Sequence, residues 1–227
     1  MPDWVEPVAR YMFEVGLRGT LKIAAIAVVG STLVGVVLGT LITIRFWPSR
    51  WLIRLYIEVW RGLPIIVTIF AVFFLLPTLG SQLDFDPFTS AAIGLTLWGS
   101  AQVAEATRGA VASIPHEQHE AASALGFGWV GRHTYVILPQ ALRRLIPPLV
   151  GLLIGVIQNS TLALVIGARE LLSTAQQSVD RLTAPPAFGG IGEIHAIELY
   201  GAVAVVFFLI CFPLSRLARF LEQRLVV

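Results

Sequence analysis

Residues able to do chemistry are sparse in this chain, and their spacing fits none of the common catalytic constellations. No G-x-x-x-x-G-K-[ST] run is present to cradle a phosphate, no His and carboxylate stand at metal-ligand spacing, and no serine has the flanking glycines of a nucleophile. His116, His119 and His133 share one polar stretch, and the i, i+3 pair His116 and His119 reads as a solvated loop face rather than a metal site. The single cysteine, Cys211, lies in an apolar run, so it forms no intrachain disulfide and suggests no thiolate metal site. The chain has no evident cofactor of its own and no evident means of hydrolysing anything. Two groups of residues remain. One is the polar step Gln158-Asn159-Ser160-Thr161 near the middle of an apolar run, whose side chains suit either a solute path or hydrogen bonds between helices. The other is Glu120-Ala121-Ala122-Ser123-Ala124-Leu125-Gly126, continuing to Val136-Ile137-Leu138-Pro139-Gln140-Ala141, in the one interior stretch too polar to be buried in lipid.

The elements that must position them are set by composition. With 227 residues, 56% of them hydrophobic and only 13% charged, the chain has too little polar surface to cover a soluble globule. The mean hydropathy of +0.78 agrees, and the expectation is an all-α integral membrane protein. The basic residues are almost all arginines at the ends of apolar runs, which marks topology rather than nucleic-acid binding. No cleavable signal is expected, because no short apolar core with a small-residue site precedes the first long run.

From Asp3 to Arg18 the apolar residues Trp4, Val8, Tyr11, Met12 and Val15 recur at helical spacing, while Glu6, Arg10, Glu14 and Arg18 form an i, i+4 ladder. Residues 1–18 are therefore expected as an interfacial amphipathic helix preceding a permease-like membrane domain at 19–227. Apolar runs at 21–44, 63–79, 89–112, 148–167 and 197–214 give five transmembrane helices at about 20 residues each. Gly35 and Gly39 provide a small face for close packing in the first. Arg45, Arg50, Arg54 and Arg61 place the first connection inside, as do Arg132, Arg143 and Arg144 for residues 113–147 and Arg216, Arg219 and Arg224 for the C-terminus. Asp84 and Asp86, free of bases, place their connection outside, and residues 173–195, with Pro185-Pro186 and Gly189-Gly190, read as an irregular external loop. The N-terminus is then outside and the C-terminus cytoplasmic. Within 113–147, Pro115 suits a helix start, Gly126 and Gly128 stop that helix, and Trp129 begins a second, so two short helices are expected.

The long polar run resembles the EAA loop of bacterial ABC importer permeases, whose pattern is EAA, three residues, Gly, nine residues, then I-x-L-P. Glu120, Ala121, Ala122, Gly126, Leu138 and Pro139 fall in register, with Val136 where the pattern has Ile. Glu58-Val59-Trp60-Arg61-Gly62-Leu63-Pro64 resembles the E-x-x-R-G-x-P start of the second helix in polar amino acid permeases. Ala104-Glu105-Ala106-Thr107-Arg108-Gly109 resembles the same family's A-E-x-x-R-G, with Gln102 where an aromatic residue is usual. Glu105 and Arg108 are able to pair on one helical face.

The resemblance covers Gly19 to Arg224 and is to the histidine/glutamine/glutamate/arginine branch. It implies the type I ABC importer fold and a permease subunit for polar or charged amino acids in a bacterial inner membrane. It also implies a second permease subunit, identical or sister, two cytoplasmic ATPase subunits that bind ATP and Mg, and an external solute-binding protein. The loop at 113–147 would couple to the ATPase. Many members carry Lys, then Asp, Glu or Asn, then Ser or Thr at the polar step; Gln158 leaves it uncharged here. A self-sufficient ion-coupled carrier or channel is the competing reading, weakened by the position of Glu105 and Glu198 toward the ends of apolar runs.

Overall fold

The computed structural model describes residues 2–43, 47–185, 190, 192 and 194–225, and every long element among them is helical. In lipid each backbone N–H and C=O must be satisfied internally, which a helix does within one segment. The helices are α1 Val5–Leu41, α2 Trp47–Gly62, α3 Ile65–Leu79, α4 Pro87–Ala112, α5 His116–Ala124, α6 Trp129–Ile166, α7 Leu171–Thr183 and α8 Ala196–Leu225. Among the described residues α1, α6 and α8 are long and apolar enough to cross a membrane, and α2 with α3 qualify only as one pair broken at Leu63 and Pro64. α4, on the run expected as the third span, has 26 residues extending about 39 Å and is not among the helices that meet that measure. Asp86 caps α4, its carboxylate accepting from the N–H groups of Phe88 (3.0 Å) and Thr89 (3.3 Å).

Three expectations are corrected. The segment 1–18 is not a separate helix: α1 runs unbroken from Val5 through Arg18 to Leu41, with one widened π turn at Met12–Leu17. Its one proline, Pro7, stands in the first turn, where its missing N–H costs no helical hydrogen bond, and Gly16, Gly19, Gly35 and Gly39 are used for contact instead of for a bend. Residues 173–195 are not irregular throughout, since α7 occupies the first half. Its start is built by a reciprocal cap in which the Glu170 carboxylate accepts from the N–H groups of Leu172 (2.8 Å) and Ser173 (2.6 Å). The Ser173 hydroxyl in turn accepts from the Glu170 N–H (2.9 Å). The second helix of the polar loop is not short either, because Trp129 opens α6, which continues to Ile166. Ile44 and Arg45, the expected end of the first span, lie outside the described residues, as do Pro186 and Gly189 of the external loop.

Contacts divide the chain into two units, residues 1–28, 65–96 and 155–213, and residues 29–64, 97–154 and 214–227. In the first, the start of α1 lies against α7 around Met12, Leu171, Ala175 and Leu182, with Leu199 and Val203 of α8 completing the cluster. The approach is close because α1 offers no side chain there: a Cβ on Gly16 would collide with Thr174, and one on Gly19 with the Arg169 carbonyl. The Leu171 N–H donates to the Thr20 hydroxyl (3.0 Å) in the same contact. In the second unit, Gly35 and Gly39 pack on Val103 and Ala104 of α4, as the small-residue spacing leads one to expect. Ile42, Ile53 and Ile57 gather around Ala104, and Tyr56 and Ser100 share a hydrogen bond of 2.7 Å. Apolar side chains such as Leu33, Val37, Phe208 and Leu209 point outward, which in a membrane needs no cover.

Candidate functional site

The polar loop is a short helix held down on the start of a long one. α5 ends at Gly126, which stands at φ +83°, and the Phe127 N–H donates to the Ala122 carbonyl (3.1 Å) while the Gly126 N–H donates to that of Ser123 (3.0 Å). This paired closure needs a left-handed residue, which explains a glycine at that place in the motif. Three side-chain links tie the segment to α6. Arg132 donates to the Ser123 hydroxyl (2.8 Å), Gln140 to the Gln118 side-chain oxygen (3.2 Å), and Arg144 to the Ser113 carbonyl (2.6 Å). Beneath them Val111, Ile114, Ile137 and Ala141 form a small core. Ala122 is buried, whereas Ala121, Gly126 and Pro139 are exposed and Leu138 packs at the edge of that core. The Glu120 carboxylate is 70% exposed and stands 3.1 Å from His116 Nδ1. Leu125, Val130 and Tyr135 are also exposed, so the loop presents an apolar rim beside its acid.

The three histidines separate. Of the pair expected on a solvated face, His116 is exposed and His119 half-buried, while His133 is buried with its ring stacked on Trp129 at 4.0 Å and its Nδ1 3.0 Å from the Trp129 carbonyl. Among the described residues no group of three or more His, Cys, Asp or Glu is arranged to hold a metal ion.

The two shorter motifs are brought together. Arg108 reaches Glu105 with two N–H groups, Nε (2.9 Å) and Nη2 (2.6 Å), and Arg61 stands 4.0 Å from the same carboxylate. Arg61 also donates to Gln102 (3.4 Å), so the glutamine that replaces the family's usual aromatic residue joins the cluster. Glu58 does not join it and faces Arg54 at 3.7 Å. Gly62 and Pro64 bracket the end of α2, with no neighbour within reach of a Cβ at Gly62. The sequence signal for Gln102 was its place one turn from Glu105; for the links from Arg132, Gln140 and Arg144 there was none.

At the polar step the helix changes type. After a π turn at His133–Ile137, α6 is α-helical from Leu138 to Asn159 and continues as a 3₁₀ stretch over Ser160–Ile166, closing at Gly167 with φ +81°. Asn159 donates to the Gly155 carbonyl (2.8 Å), Ser160 to that of Ile157 (2.7 Å) and Thr161 to that of Gln158 (2.9 Å). The Gln158 side chain is exposed and hydrogen-bonded with Cys211 of α8. Ser160, Ala163 and Ile166 are the buried residues, one per turn of three. The segment packs on α3.

Helices built for lipid, together with a protruding loop strapped to one of them, define a membrane-embedded subunit of a transport system. Residues 31–227 match the model of the binding-protein-dependent transport system inner membrane component, and the chain belongs to that family. It is 35% identical over 227 residues to the glutamine transport system permease protein GlnP of Escherichia coli (strain K12), covering 99% of this chain and 98% of that one. With the probable glutamine ABC transporter permease protein GlnM of Bacillus subtilis (strain 168) it shares 31% over 214 residues, 94% and 93% of the two chains. A crystal structure of an amino acid ABC transporter with histidines superposes with a TM-score of 0.81 at 27% identity, covering 99% of this chain and 100% of that chain. The fold is also that of the MetNI methionine ABC transporter in an inward-facing form, with a TM-score of 0.74 at 20% identity over 95% and 98% of the two chains. The chain is thus a multi-pass inner-membrane transport subunit, and the reading as a self-sufficient carrier or channel falls.

Proposed function

We propose that the chain is the permease of an ATP-driven importer of polar or charged amino acids, and that α5 with the first turns of α6 is its coupling element. The supporting observation is the form of that element: an exposed helix carrying Glu120, closed by Gly126 and linked at two points, with a third from Ser113 just ahead of it, to a helix that enters the membrane. Such a piece moves as a rigid body, so force applied to it reaches α6. Two cytoplasmic ATPase subunits, binding ATP and Mg, receive the loop; a second permease subunit completes the pathway, and an external binding protein delivers the solute. The names of the relatives, glutamine transporters among them, support an amino acid as that solute.

In this reading the chain crosses the membrane five times, with α1, α3, α4, α6 and α8 as spans, the N-terminus outside and the C-terminus inside. Residues 1–18 extend the first span toward the outside, ahead of the permease domain proper at 19–227. Glu120, Ala121, Ala122, Gly126, Leu138 and Pro139 form the ATPase-coupling surface. Gln158, Asn159, Ser160 and Thr161 line the solute path, and Glu58, Arg61, Gly62, Pro64, Glu105 and Arg108 hold the inner ends of the spans.

The test is a reconstituted complex of permease, ATPase and binding protein carrying Gly126→Pro. Proline fixes φ near −65° and removes an N–H that closes α5, so the loop loses its shape. ATPase stimulation by the liganded binding protein should disappear while the complex still inserts; undiminished stimulation removes the lever argument.

A further inference from the structure

Beside the loop, the second unit contains a cavity of about 690 Å³ that the transport cycle described above does not use. Its lining carries Arg50 from α2, Arg108 from α4, Arg132 from α6, and His116, His119 and His133, with no carboxylate among the described lining residues. Aspartates and glutamates are not absent nearby, but they are engaged from outside the lining: Glu105 takes two N–H groups of Arg108, and Glu120 faces His116. Arg108 keeps its Nη1 donors beyond that pair. Arg132 Nη1 is used on Ser123, while its Nε is shielded from solvent and has no hydrogen-bond partner. The α5 N-terminus lies at the same wall, where Pro115 supplies no side-chain cap; the helix dipole adds positive potential there, offset in part by the Glu117 carboxylate of the first turn, which is not among the lining residues. The field is felt by the lining itself. Burial, and then the charge of Arg132 beside it, hold the His119 imidazolium below its ordinary pKa.

We propose that this cavity binds a small phosphate-bearing anion, held by the guanidinium groups of Arg50, Arg108 and Arg132. Guanidinium matches phosphate geometry through parallel N–H donors, and three guanidinium groups supplied to one cavity from three helices favour an anion over a neutral solute. The volume is that of a small-molecule site, larger than bare phosphate needs and suited to a phosphate with a short polyol attached. Trp129 and the aliphatic part of the wall, Ile42, Val111 and Ile114, give that attachment an apolar side. A bound anion would join α2 and α4 to the base of the coupling loop. Two sources share this chemistry, an anionic lipid headgroup and a soluble phosphate ester.

The experiment uses the full-length chain in nanodiscs, with the ATPase bound. Glycerol 3-phosphate is titrated calorimetrically into nanodiscs of phosphatidylcholine alone. Retention of phosphatidylglycerol, supplied in mixed nanodiscs, is read by native mass spectrometry. Binding in the first arm identifies a soluble ester and retention in the second a lipid headgroup, and either supports the site when Arg50→Gln and Arg132→Gln each weaken it by about ten- to hundredfold. Arg143→Gln, whose side chain is exposed outside the cavity, should leave binding unchanged. No binding of either probe to the unaltered chain overturns the proposal, as does equal weakening by Arg143→Gln.

Discussion

Glu170 is a carboxyl with no solvent exposure, and its surroundings show how one residue can make a helix contact sensitive to acidity. Burial pushes its pKa up from 4.5 to about 7, against the N–H groups of Leu172 and Ser173 and the Thr20 hydroxyl, which favour the charged form. An acid whose folded pKa is raised binds its proton more readily in the folded state. Its contribution is therefore complete below pH 4.5 and is lost as pH rises through about 7, in all about 3 kcal/mol. Relative to the intrinsic base-catalysed rate, amide protection of α7 should fall between about pH 4.5 and 7, and Glu170→Gln, which keeps an acceptor without the charge, should flatten that fall. Gly126 makes a second residue-scale case. Nothing lies within 4 Å of a Cβ built there, so Gly126→Ala meets only the backbone penalty of a left-handed residue, about 1–2 kcal/mol. That variant should fold, with faster exchange confined to α5, and should stimulate the ATPase far better than Gly126→Pro.

Between elements, the contact of α1 with α7 depends on absent side chains. Gly19→Val puts a branched group where the Arg169 carbonyl already is, and should lower the unfolding temperature of the purified chain more than Gly109→Val, where no neighbour stands. This contact also marks the boundary of what could be read from the chain alone. Periodicity located α1, α4, α6 and α8 because long apolar runs must be helical in lipid. It missed α7, whose polar Ser173, Thr174, Gln176 and Gln177 resemble a loop until Leu171, Ala175 and Leu182 are seen facing α1. The cap that starts it reverses the usual order, Glu before Ser, and so gave no familiar signal. Gly126 was legible because its closure is local, made within six residues. Arg132 with Ser123, or Arg61 with Glu105, required knowing which helices meet.

At the scale of the whole molecule the arginine distribution makes a sidedness claim. Val130 is 69% exposed on the loop, so a cysteine placed there in a Cys211→Ala background should react with an impermeant maleimide only from the cytoplasmic side of sealed vesicles. Asn159→Leu in the polar step should lower amino acid uptake while leaving basal ATP hydrolysis near normal; wild-type uptake would assign Asn159 to packing instead. The 3₁₀ stretch that follows it has a consequence of its own. A residue in that form advances about 2.0 Å and turns about 120°, against about 1.5 Å and 100° in an α-helix. Rewinding Ser160–Ile166 would therefore shorten α6 by about 3.5 Å and twist its far end by about 140°, without breaking the chain's course. The helix that runs from the polar loop would thus, on such a rewinding, change both length and pitch at its polar step.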